Sequence, residues 1–146
     1  MRMSSAHEFP KTVERATATL PQGVQTAYFT VTGRVIVTQI VGEVTVVIQT
    51  QANATKLIAN PTVGADVDLC GTNDITADAV GTVYTITGTL ADNMVATTSG
   101  AVQAQPEGIL VTAGTIDLDC AASNTGETKW TLHYVPLDAG SHVAVA

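Results

Sequence analysis

Between Tyr28 and Thr50, and again between Thr115 and Val135, apolar and polar side chains change places almost one by one. A period of two puts successive side chains on opposite faces of an extended chain, whereas a helix needs a period of 3.6. Tyr28–Thr32 sets Tyr28, Thr30 and Thr32 against Phe29 and Val31. After Gly33, Ile36, Thr38 and Ile40 oppose Val35, Val37 and Gln39. Gly42 marks a tight bend or bulge. Beyond it, Val44, Val46 and Ile48 share a face. In the closing segment, Ile116, Leu118 and Cys120 point one way and Thr115, Asp117 and Asp119 the other. Trp130, Leu132 and Tyr134 likewise oppose Lys129, Thr131, His133 and Val135. Residues 115–135, turning at Asn124-Thr125-Gly126, read as an antiparallel hairpin.

Shorter strands are predicted over Thr17–Leu20, Thr55–Ala59, Val67–Cys70, Val83–Thr89 and Ile109–Thr112. Asp74–Val80 fits either a strand or one helical turn. Ala91–Gln105 reads as a long loop, and the tail from Leu137 to Ala146 is short and mildly apolar. About nine short strands separated by turns point to a sandwich or barrel. The expected fold is all-β: an antiparallel two-sheet sandwich, jelly-roll-like, with a closed barrel as the competing architecture. Residues 1–16 hold Arg2, Lys11 and Arg15, lack a clean period and contain Pro10. They are expected to form an extended N-terminal arm, with the sandwich domain spanning 17–146.

Composition narrows the function classes. Charged residues make up 13% of the chain, against about 25% in an ordinary domain. Apolar residues fall on both faces of several strands, so part of the surface is expected to be covered by another layer or another subunit. The formal net charge of −7 opposes a nucleic-acid surface, which needs clustered Lys and Arg. It opposes an anionic membrane equally. No apolar stretch approaches the ~20 residues of a spanning helix, and the first twenty residues lack the apolar core of a signal peptide. Synthesis and folding in a cytosol are expected, with Cys70 and Cys120 as buried thiols.

The residues that carry chemistry are sparse. His7, His133 and His142 are expected to be solvated, and no spacing pairs them with a nucleophile. Asp66/Asp68 and Asp117/Asp119 each share a strand face. Such pairs suit Ca²⁺, a glycosidase-like dyad or a charged face that guards a sheet edge. Trp130 is expected in the core. No catalytic, cofactor-binding or metal-binding residue is assigned, and the chain is expected not to be an enzyme.

Three stretches carry a family resemblance: TGRVIVTQIVGEVTVVIQTQANATKLIANP at Thr32–Pro61, DVDLC at Asp66–Cys70, and GTIDLDCAASNTGETKWTLHYVPLD at Gly114–Asp138. They resemble small β-rich structural proteins of tailed bacteriophages, most of all capsid decoration (head cement) proteins. The resemblance implies a virion protein made in the host cytoplasm and seated on the capsid surface. It further implies the major capsid protein as partner, a homodimer or homotrimer, and no cofactor, nucleic acid or membrane. A receptor- or glycan-binding module of a tail fibre or tip is the alternative.

Overall fold

The computed structural model describes residues 10–146. Among these residues, twelve strands form two six-stranded antiparallel sheets packed face to face, as the alternation predicts. The first sheet runs β1 (Lys11–Thr19), β11 (Glu127–Pro136), β3 (Val35–Val46), β7 (Val83–Thr85), β8 (Val95–Thr97), with β9 (Ile109–Val111) also on β3. The second runs β12 (His142–Val145), β2 (Gln25–Thr32), β10 (Gly114–Cys120), β4 (Ala54–Pro61), β5 (Val67–Asp68), with β6 (Asn73–Asp74) also on β4. The chain changes sheet at each of the first three connections, and again from β6 to β7, β9 to β10, β10 to β11 and β11 to β12.

That path overturns the expected hairpin. β10 lies between β2 and β4, while β11 lies between β1 and β3 in the other sheet. Both strands bury one face because each looks at the same core from its own side. Ile116, Leu118, Leu132 and Tyr134 are all buried. The 121–126 connection crosses between layers. Its Asn124 is fully buried and donates through Nδ2 to the carbonyls of Gln49 and Gln51.

The arm is corrected as well. Lys11–Thr19 is a strand, pairing β11 from Lys11↔Tyr134 to Thr19↔Glu127 with an irregularity between Arg15 and Ala18. A boundary at residue 16 would cut it. The irregularity breaks the two-residue period, which hides the strand in the sequence. The rest of the expected arm, residues 1–9, and His7 with it, lie outside the described residues.

Two local features explain further departures. β3 carries an extra residue at Thr38, since Gln39 faces His133 while Val37 faces Tyr134. This bulge reverses the facing, so Val35 and Val37 share the core with Ile40 and Val44. Gly42 is no bend. It sits mid-strand between Trp130 and Tyr84 in the pairing register. The two rings lean over it and stack, with centroids 6.2 Å apart. A Cβ at Gly42 would lie 2.7 Å from the indole. Tyr28 meets the other side of Trp130 edge-on at 6.3 Å. Trp130 is thus the centre of the core, as expected.

The remaining loops are better tied than the sequence suggests. The segment 91–105 contains β8, and Met94 and Gln105 at its two ends are buried. Gln105 Nε2 donates to the carbonyls of Val37 and Glu107. Residues 75–82 form turns rather than a strand or helix, anchored by Ile48 N–H on the Asp78 carbonyl at 3.0 Å. The tail forms β12, whose Val143 is buried against β2.

Candidate docking surface

Each sheet ends in a short strand on the same flank of the sandwich. Among the described residues, β5 pairs only β4 and β9 pairs only β3. Between them runs a groove of about 230 Å³, walled by Val67, Leu69, Leu90, Ile109, Leu110 and Val111. The local sequence makes it so. In β9, Ile109 and Val111 turn towards the core while Leu110 turns out. Val67, Leu90 and Leu110 remain 47%, 42% and 55% exposed. Among the described residues, no charged side chain lines the groove. Contiguous exposed apolar surface beside unpaired strand edges is suited to receiving another protein chain.

Next to this groove, the outer face of the second sheet carries the acidic residues. The structure brings together one member of each sequence-predicted pair, Asp66 and Asp117. Gln25 Nε2 donates to Asp66 Oδ2 at 3.0 Å and to Asp117 Oδ2 at 2.7 Å. Asn60 Nδ2 also reaches Asp117 Oδ2, at 3.5 Å. Asp68 instead pairs with Lys56, 3.0 Å away. Asp117 faces outward as expected, yet only 3% of it is exposed, because Gln25 and Asn60 close over it. Gln25 and Asn60 carry no distinguishing pattern in the sequence. Their role follows from the register of β10 with β2 and β4, which sequence alternation cannot supply. Among the described residues, no three His, Cys, Asp or Glu side chains gather into a metal-ligand group.

The other candidates stay apart from both features. His133 is exposed on β11, and His142 is exposed on β12 in the opposite sheet, with Nδ1 3.0 Å from the Gly140 carbonyl. Cys70 and Cys120 are free and buried. Burial pushes the Cys120 thiol up to about 11 and raises Cys70 as well. Neither is set up as a thiolate nucleophile.

On the far flank the sandwich is stitched shut. The guanidinium of Arg15 lies 4.2 Å above the Tyr28 ring and donates to the Tyr28 and Ala146 carbonyls. A residue of the first sheet thereby bonds two segments at the second. The basic residues of the N-terminal region had marked it as an arm; Arg15 acts inside the fold instead.

Comparison with family models, curated proteins and solved structures finds no match to the chain.

Proposed function

We propose that the chain is a non-enzymatic structural protein of a tailed-bacteriophage virion. In this reading it is a decoration, or cement, protein that self-associates, binds the outside of the capsid lattice and stabilises the head. The observation that carries the proposal is the uncharged groove between β5 and β9, flanked by two strand edges that pair on one side only. An extended segment of the major capsid protein laid there would gain main-chain hydrogen bonds from a strand edge and side-chain contacts from Val67, Leu90 and Leu110. The phage-like phrasing of Thr32–Pro61 and Gly114–Asp138 supports the same reading. The groove alone is too small for a stable interface of ~1,200–2,000 Å². Its rims and the neighbouring sheet face supply the remainder.

The test is co-sedimentation of purified protein with phage heads stripped of decoration. Wild type is expected to bind at lattice stoichiometry and to raise the temperature at which heads release DNA. Leu110→Asp places a charge in the apolar wall, and its binding is expected to fall at least about tenfold, about 1.4 kcal/mol. Binding to tails or to cell-surface glycans, with none to heads, would replace this reading by the tail-tip module.

A further inference from the structure

The carboxylate of Asp117 is incompletely satisfied. Its Oδ2 is held by Gln25 and Asn60, but its Oδ1 is buried and has no hydrogen-bond partner among the described residues. A buried anion without a counter-charge is costly. A second carboxylate, Asp66, crowds the same place, for its Oδ2 rests on the very Nε2 that serves Asp117. Lys56 on the neighbouring strand does not help, because its ammonium sits on Asp68. Among the described residues, neither Asp66 nor Asp117 has an ion-pair partner. Two negative groups therefore converge on one neutral amide.

We propose that this is a Ca²⁺ site, with Asp66 and Asp117 as its charged ligands and the amide oxygens of Gln25 and Asn60 completing its wall. Two carboxylates balance a divalent charge. Ca²⁺ takes six to eight oxygens at ~2.3–2.6 Å and tolerates irregular geometry. An amide turned about its last torsion offers oxygen where it had offered N–H, so Gln25 can hold the carboxylates apart without the ion and ligate with it. Asp66, Gln25 and Asn60 are exposed, which leaves an entry path and room for water ligands. So few protein ligands imply weak binding, with Kd of order 10⁻⁴–10⁻³ M. Mg²⁺ demands tighter octahedral geometry and keeps its waters.

The experiment is thermal unfolding of chelator-treated protein titrated with CaCl₂ to 10 mM at constant ionic strength, with MgCl₂ as a parallel arm. Calcium is expected to raise the Tm of wild type by about 3–6 °C, and magnesium by much less. Asp66→Asn, at an exposed position, is expected to fold and to lose most of the response. Asp117→Asn is expected to lose it too. A flat wild-type titration overturns the site. So does an equal shift with Mg²⁺, or a full Ca²⁺ response in Asp66→Asn.

Discussion

On one flank of the sandwich, β1 and β12 are drawn together by Arg15, whose side chain spans from one sheet to the other. On the opposite flank, β5 and β9 face each other across a groove walled by aliphatic side chains. The strands differ in kind. β1 is nine residues long, irregular at Arg15, and carries Lys11, Glu14 and Arg15. β5 and β9 have two and three residues, and Val67 and Leu110 stand exposed on them. Charge and a bulge are ways to keep a long strand edge from pairing with strangers. Shortness limits strand pairing too, but the aliphatic side chains on β5 and β9 still leave apolar surface uncovered. One flank is closed by a cation and its hydrogen bonds, and the other leaves apolar side chains exposed.

If this contrast is real, both flanks must hang on a shared core, and the most damaging change should lie there. Gly42→Ala drives a methyl into the Trp130 indole, which stacks on Tyr84. It is expected to cost about 3 kcal/mol and to lower the urea midpoint without separating the two flanks into distinct transitions. Two resolved transitions would break the comparison at its root.

Alkali should act next, and from the closed flank. Burial pushes Tyr28, which lies under Arg15, up to about 12 from 10.0. Folding therefore favours the protonated phenol. The stabilisation is complete below pH 10 and is lost as pH rises from 10 towards 12, by about 2 kcal/mol. Cys120, raised from 9.0 to about 11, adds the same sign from pH 9 upward. Denaturant titrations at pH 8, 10 and 11.5 should show a progressive fall. Tyr84, whose phenol burial also raises, adds to the fall above pH 10, so Tyr28→Phe should lessen its upper part without abolishing it.

Arg15→Ala removes the ring contact and both cross-sheet hydrogen bonds, and is expected to cost about 1–2 kcal/mol. Hydrogen exchange should quicken in β1 and β12 ahead of β5 and β9. Arg15→Lys should recover little, since an ammonium lacks the planar fork. The smallest stability effect is expected at the open flank, where Leu110→Asp changes the unfolding free energy by about 0.5 kcal/mol or less. Large destabilisation there would mean that the groove wall belongs to the core.

Facing was legible in the sequence, and pairing was not. The alternation of Ile116, Leu118 and Cys120, or of Trp130, Leu132 and Tyr134, says which side is buried. It says nothing about the neighbour. Leu118 pairs across to Leu57 and Thr26, and Leu132 to Ile40 and Val13. A hairpin is the natural guess for two such strands in succession, and a sandwich satisfies the same pattern from two sides. Single-residue bulges were equally hidden. Thr38 turns the facing of β3 over, and the irregularity after Arg15 disguised β1 as an arm. The candidate residues fared alike. Asp66/Asp68 and Asp117/Asp119 were readable as same-face pairs, but the meeting of Asp66 with Asp117 depends on which strands lie side by side. The groove was invisible for the same reason, being made by short strands from two different sheets.

The crossing from β10 to β11 matters for how the molecule is born. Residues 114–136 supply an interior strand to each sheet. Until a ribosome has extruded them, β1 and β2 have no partner at all, and β3 and β4 hold only their short companions. Most of the polypeptide must wait, extended and sticky, for its last quarter. Both sheets are therefore expected to be completed late, because contacts between distant positions form slowly.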